Sequence, residues 1–317
     1  MNLRAPLRFS AACALLGLAI AALAPAVASE APAAVPAAFD LAVTIDDIPW
    51  TGARHVPAPQ IVRGTEAILA ALDRHKVRAA GFVICDELRR APRVLDLWRR
   101  AGHELGNHTA DHLDLNGAAP EAWAASVRRC QDRLARRIGA PPRFFRYPYL
   151  REGDTPERQR SARELLATLA VRNAPVSVDN SEWVLAESYA AAARRGDQAA
   201  MSRLGDLYVD HMRRAVSHAR DVGRERFGRE VRQVLLLHAN RLNAEHLDRL
   251  LAALARDGAR FVPLETALAD PIYAERDDYV GDRGLSWLYR VAPAQPERWA
   301  WDRAEEDAIR AALGITR

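Results

Sequence analysis

The sequence is short of cysteine, of long apolar runs and of any concentrated block of basic residues. Three cysteines serve 317 residues, and Cys13 falls inside an N-terminal leader, so a disulfide-dense scaffold is excluded. Cys85 and Cys130 remain in the mature chain. In an oxidising compartment they either pair or stay as buried free thiols, because sequence separation does not report whether two Cα atoms come within bridging reach. The formal charge of +4 comes from arginines scattered along helical stretches, not from a basic segment interleaved with aromatics, so nucleic acid is not indicated as a partner. No internal repeat is present. The apolar run at 9–24 is shorter than the ~20 residues that a spanning helix needs, and Pro25 interrupts it.

That run is instead framed as an export signal, with Arg4 and Arg8 ahead of it and the small residues Ala26, Val27 and Ala28 behind it. Residues 1–28 therefore read as a signal peptide, with the mature chain starting near Ser29. The protein is expected to be exported, periplasmic or extracellular, with no stable membrane span after cleavage. A Pro/Ala-rich linker covers 29–38. The sequence gives no reading of the oligomeric state.

At 49% hydrophobic and 27% charged residues, the composition is that of a folded globular protein. Beyond the linker, apolar bursts of strand length alternate with segments of helical period, the pattern of an α/β fold. Strands are predicted at 41–46, 79–85, 104–107, 144–147, 174–177, 234–238 and 260–262. Helices are predicted at 59–73, 92–101, 120–138, 155–170 and 244–257. Thr155, Pro156 and Glu157 supply a cap, a first-turn proline and an acid at the positive helix end. The alternation lapses at about 185–230, where Leu204, Leu207, Tyr208, His211 and Met212 recur at helical spacing. This stretch reads as a helical insertion before the last catalytic strand. The segment 270–317 holds Trp287, Tyr289, Trp299 and Trp301, too much aromatic surface to stay solvated, and is expected to pack on the domain.

Polar residues with chemical potential stand at strand ends. Asp46 and Asp47 close the run Leu41 to Ile45, and His238 follows Val234 to Leu237; in parallel α/β folds that edge is where loops converge on active sites. Two adjacent buried carboxylates repel, so they need a cation or a shared proton. His108 and His112 are four residues apart, a spacing that one helical turn brings to a single face. Two imidazoles and a carboxylate suit Zn²⁺ with positions left for water and substrate, and other divalent first-row metals as well.

Five short stretches, in order, carry a resemblance to a known family. Thr44-Ile45-Asp46-Asp47, His108-Thr109-Ala110-Asp111-His112, Arg146-Tyr147-Pro148-Tyr149, Asp179 with Trp183, and Leu236-Leu237-His238 are similar to the motifs of the NodB-type polysaccharide deacetylases, carbohydrate esterase family four. The resemblance spans about 39–268. It implies a distorted (β/α) barrel of the NodB homology type at 39–269, interrupted by the helical insertion and followed by the 270–317 extension. It implies one divalent metal ion, favouring Zn²⁺, on Asp47, His108 and His112. Asp46 becomes the base, His238 the acid, Arg146 the partner of the base and Asp179 the partner of the acid; the backbone N–H of Tyr149 becomes an oxyanion donor. The implied reaction is hydrolysis of N- or O-linked acetyl groups on a carbohydrate, with a small non-peptide amide, imide or formamide as the alternative substrate on the same fold.

Physical chemistry supports the roles. A divalent ion acidifies water and polarises a carbonyl, so one group must take a proton and another return one. Asp46 beside Arg146 is expected to stay ionised, and a histidine held by a carboxylate to have a raised pKa. Arg146 and Asp179 can also be read as a structural ion pair, and Trp183 either lines the sugar site or fills the core. His103, His211, His218 and His246 read as structural or solvated, and His55, on the loop after the aspartate pair, is given no role. The chain departs from the family pattern at Ile48-Pro49-Trp50, where the first motif has glycine, at Glu182, which replaces an aspartate, and at Ala239-Asn240 after the acid histidine.

Overall fold

The computed structural model describes residues 1–3 and 37–315; all but the first three residues of the expected signal peptide, and most of the linker, lie outside the described residues. Seven strands form one sheet, all pairs parallel. They are β1 (Phe39–Ile48), β2 (Ala80–Val83), β3 (Glu104–Asn107), β4 (Phe144–Phe145), β5 (Arg172–Asn173), β6 (Gln233–His238) and β7 (Ala259–Phe261). Their order is β5-β4-β3-β2-β1-β6, with β7 against the start of β1. Past β5 the chain reaches β6, where Val178 bridges Leu235 in parallel and its N–H donates to the Val234 carbonyl at 3.0 Å. The curled sheet is thereby a distorted (β/α) barrel.

Parallel strands need crossovers, and helices supply them: α1 (Ala58–Arg74), α2 (Arg93–Arg100), α3 (Pro120–Ile138), α4 (Pro156–Thr168), α5 (Glu182–Arg195), α6 (Gln198–Phe227) and α7 (Arg241–Arg256). Proline stands at the first positions of α1, α3 and α4, where the missing N–H costs nothing. The Thr155 side chain caps α4 through the Arg158 N–H at 3.2 Å, as its sequence suggests. β1 is buried at nearly every residue, as a central parallel strand must be. The strand predicted at 174–177 is displaced: the paired residues are 172–173, and the following backbone leaves the sheet before rejoining it at Val178. No described helix is long and apolar enough to cross a membrane.

α5 and α6 lie in sequence between β5 and β6, and α8 (Leu264–Ala267), α9 (Trp287–Arg290) and α10 (Trp299–Leu313) follow β7. The tail runs over the side where the barrel closes. Ser286 Oγ donates to the Ser177 carbonyl at 2.7 Å, and the Trp287 N–H donates to the Val176 carbonyl at 2.6 Å. Gly284 passes so near the Tyr149 carbonyl that a Cβ there would stand 1.8 Å from it. Trp287, Leu288 and Tyr289 are buried, while Trp299 and Trp301 are half-buried against the same core. Cys85, just past β2, and Cys130, on α3, form a disulfide with Cα atoms 5.3 Å apart.

Candidate active site

Adjacent residues of a regular strand point to opposite faces, so Asp46 and Asp47 could not both face one cavity without an irregularity. β1 supplies it. Its register against β2 runs Ile45 to Gly81 but Ile48 to Val83, one extra residue in β1, and Asp47 takes a left-handed backbone conformation at φ 63°. This is a β-bulge, which re-aims a side chain beside a site. On the other side β1 keeps perfect register with β6, and Asp46 is paired with His238. The two groups read as base and acid thus start from neighbouring positions on adjacent strands.

The two imidazoles come together differently from the helical turn that their spacing suggests. Residues 108–112 form a non-helical turn after β3, with left-handed backbone at Thr109 (φ 64°) and His112 (φ 59°). Side chains bonded to backbone hold that shape. Asn107 Oδ1 accepts from the Thr109 N–H at 2.8 Å, Ser126 Oγ accepts from the Ala110 N–H at 3.0 Å, and Thr109 Oγ1 accepts from the Leu113 N–H at 3.0 Å. The histidine rings end 4.9 Å apart.

Asp47, His108 and His112 offer ligand atoms that all lie within 4.8 Å of one another. Asp47 Oδ1 is 3.7 Å from His108 Nε2 and 3.5 Å from His112 Nε2. His108 Nδ1 lies 2.8 Å from the Arg146 carbonyl, which can only accept, so Nδ1 carries the proton and the Nε2 lone pair faces Asp47. Burial pushes both histidines down to about 4 against the pull of Asp47, with His108 adding to the effect on His112. Both rings are therefore neutral at neutral pH. Asp47 is held below the usual carboxylate range: its burial acts upward, but His238, His112, His108 and the Thr51 hydroxyl outweigh it. Its Oδ1 is buried with no hydrogen-bond partner. A carboxylate oxygen facing two imidazole lone pairs with no proton between them is a donor set that fits a divalent cation.

On one side of this cluster is the base candidate. Asp46 receives Arg146 Nη1 at 3.3 and 3.2 Å. The same guanidinium donates through Nε to the Ala174 carbonyl at 2.5 Å and through Nη2 to Thr44 Oγ1 at 3.2 Å, and it lies 4.5 Å from the centre of the Phe82 ring. Burial raises the Asp46 pKa, with Arg146 and His238 opposing. The carboxylate is therefore a stronger base than an exposed one, rather than merely an ionised one.

On the other side, the partner expected for the acid histidine is corrected. Asp179 makes no hydrogen bond to His238; its Oδ1 accepts the Asn180 N–H at 2.8 Å. Glu182 takes that place, with Oε2 2.7 Å from His238 Nδ1. Its other oxygen accepts from Asn240 Nδ2 at 2.5 Å and Asn243 Nδ2 at 3.0 Å. The physical reason is reach: Glu182 begins α5 with its longer side chain fully buried, whereas Asp179 is turned back on its own backbone. Desolvation pushes His238 down, but the hydrogen bond and charge of Glu182, with Asp47 and Asp46, raise it to about 9. Burial lifts Asp179 to about 6. The signal for Glu182 was its place as the second acid of the fourth motif, three residues after Asp179.

Asp46, Asp47, His108, His112, Asp179 and His238 line one cavity of about 1220 Å³. Trp50 and His55 border it after β1, Tyr149 after β4, and Trp183 and Glu187 on α5; Trp299, Asp302 and Glu306 on α10 also line it. Tyr149 has left-handed backbone (φ 57°) and an exposed ring set edge-on to His112 at 4.6 Å. Trp183 is 42% exposed, which decides between its two readings in favour of the cavity rather than the core. The remaining histidines hold structure: His103 Nδ1 accepts the Ala79 N–H at 3.3 Å, His246 meets the Tyr189 hydroxyl at 3.0 Å, and His218 stacks on Trp301 at 3.9 Å.

A parallel barrel whose strand ends gather a carboxylate and two neutral imidazoles is the architecture of the NodB-type deacetylases. Comparison with known proteins agrees. A polysaccharide deacetylase family model matches residues 36–170, a likeness that covers less than half of the chain. A peptidoglycan-N-acetylglucosamine deacetylase of Bacillus cereus is 29% identical over 85 residues, 27% of this chain and 31% of that protein. An uncharacterized protein of Bacillus subtilis is 25% identical over 83 residues, 26% of each. The chain thus spans less than a third of the length of these curated relatives. Among solved structures, a carbohydrate esterase family four pseudoenzyme from Bacillus anthracis superposes with a TM-score of 0.51 at 15% identity, covering 74% of this chain and 66% of that one. A peptidoglycan N-acetylglucosamine deacetylase in complex with a substituted N-oxidanyl-benzamide does so with a TM-score of 0.51 at 22% identity, covering 74% and 92%. Since a pseudoenzyme shares the fold, the fold alone carries no activity. That question rests on the residues of the site.

Proposed function

We propose that the protein is an exported, metal-dependent hydrolase that removes N- or O-linked acetyl groups from a carbohydrate. The observation that carries this reading is the buried, unpartnered Asp47 Oδ1 facing the Nε2 atoms of His108 and His112, with Asp46 and His238 beside it. A divalent ion there, Zn²⁺ being favoured by two imidazoles and a carboxylate, would supply the charge that acidifies water and polarises an acyl oxygen. The chain's own groups do the proton work. Asp46, oriented by Arg146, takes the proton of the attacking water. His238, charged through Glu182, protonates the departing amine or alkoxide. The N–H of Tyr149 is assigned to the developing oxyanion, and Trp183 to the sugar.

On this reading residues 39–269 are the deacetylase domain, with a helical insertion at about 185–230 that takes in most of α5 and all of α6, and 270–317 are an extension. The carbohydrate assignment is supported by the family match and by the curated relative named for peptidoglycan; that relative and the signal-like leader support export. The test is acetate release from acetylated glucosamine oligomers, peptidoglycan and acetylated xylan, run beside small cyclic amides and formamides. Asp46→Asn is expected to keep its metal by elemental analysis and lose about 10²–10⁴-fold in rate, the usual worth of a general base. Equal turnover by Asp46→Asn and wild type would remove the base. Turnover of the small amides alone would replace the carbohydrate.

A further inference from the structure

The far wall of the cavity is built outside the segment that the family model matches. That model ends at residue 170, whereas Trp299, Asp302 and Glu306 on α10 line the same cavity as Asp46, Asp47 and His238. The cavity, about 1220 Å³, exceeds the ~300–1,000 Å³ usual for a small-molecule site. An acetyl group and one sugar leave room beyond them.

The wall is held firmly. His211 accepts the Ser181 N–H at 3.0 Å and meets Glu305 of α10 at 3.1 Å, tying α6, the start of α5 and α10 together. Arg310 bonds Glu306 at 2.7 Å and lies 5.3 Å from the Trp183 ring centre. Trp299 is half-buried, with the Arg283 guanidinium 4.3 Å from its ring centre. Asp302 lines the cavity, and its Oδ2 is buried without a hydrogen-bond partner. Burial, then the neighbouring Asp179, raises its pKa to about 8, so at neutral pH it is mostly a neutral carboxyl that both donates and accepts.

A fixed aromatic face beside a neutral carboxyl matches the two sides of a pyranose ring. Its C–H face packs on the indole and its hydroxyls exchange hydrogen bonds with the carboxyl. We propose that Trp299 and Asp302 form a saccharide subsite for a sugar unit adjoining the acetylated one, so that the protein selects acetylated oligosaccharides over single acetylated sugars. The inference rests on the carbohydrate reading above.

The test measures KM and kcat for acetate release along two series, N-acetylglucosamine oligomers and acetylated xylose oligomers, each from monomer to pentamer. In the wild type, KM is expected to fall about tenfold from monomer to trimer in one series, equivalent to the ~1.4 kcal/mol that an aromatic contact can supply. Trp299→Ala is expected to erase that difference by raising the trimer KM about tenfold more than the monomer KM, and Trp299→Phe to restore most of it. Asp302→Ala provides the same comparison should Trp299→Ala fail to fold. A wild-type KM independent of length, or a variant that shifts monomer and trimer alike, overturns the subsite. Absence of acetate release from every sugar, with small amides still hydrolysed, would instead overturn the carbohydrate reading and the subsite with it.

Discussion

At the scale of single residues, Glu182 governs the proton balance of the site. Its carboxylate lies 2.7 Å from His238 Nδ1 and is itself held by two asparagines, so the ring is fixed with Nδ1 protonated and Nε2 toward the cavity. Because the folded pKa of His238 is raised from 6.5 to about 9, the stability that this pair contributes is complete below about 6.5 and is lost as pH climbs through about 9. Glu182→Gln puts an amide N–H₂ against Nδ1, favours the wrong tautomer and removes the charge. We expect kcat/KM to fall roughly 10²–10⁴-fold, and the basic limb of its pH profile to move to lower pH. An unmoved limb would return the role to Asp179. The residues proposed for this site were named by the five motifs, and the structure brings Asp46, Asp47, His108, His112 and His238 to one cavity. Which of two acids reaches His238 was not legible in the sequence, since that depends on side-chain length and on where α5 begins.

At the scale of elements, the strands could be read from their apolar bursts, and the helices from their caps and period. What could not be read was each departure from regularity. The extra residue in β1 turns Asp47 to the same cavity as Asp46, and the left-handed turn after β3 turns His112 back onto His108; neither leaves a glycine or proline at the position concerned. The same holds for Cys85 and Cys130, whose bridging depended on α3 packing its Cys130 face over the end of β2. That disulfide closes a loop of sequence separation 45 around β3 and both histidines. Its removal by the double change Cys85→Ala and Cys130→Ala is expected to cost about 2–4 kcal/mol in denaturant unfolding at unchanged pH. A loss under about 0.5 kcal/mol would mean that the packing of α3 suffices alone.

At the scale of the whole molecule, metal and fold should be linked. An ion that binds only the folded chain stabilises it by about 4 kcal/mol at a thousandfold excess over Kd. Stripping with a chelator should therefore lower Tm, zinc should restore it, and Asp47→Asn should respond to neither. A Tm that ignores metal in the wild type would remove the ion from the cluster. The alternating pattern conveyed an α/β fold, the family resemblance implied its barrel form, and four aromatics conveyed that the tail has something to pack on. Its destination, the seam where the barrel closes, lies in contacts such as Gly284 against Tyr149, which no local pattern encodes.

That destination separates two properties along the chain. The groups proposed for hydrolysis end with His238, whereas Trp299 and Asp302, proposed for the adjoining sugar, arrive about sixty positions later. On that assignment, changes confined to the C-terminal segment would alter which sugars are accepted while leaving the proposed chemistry in place.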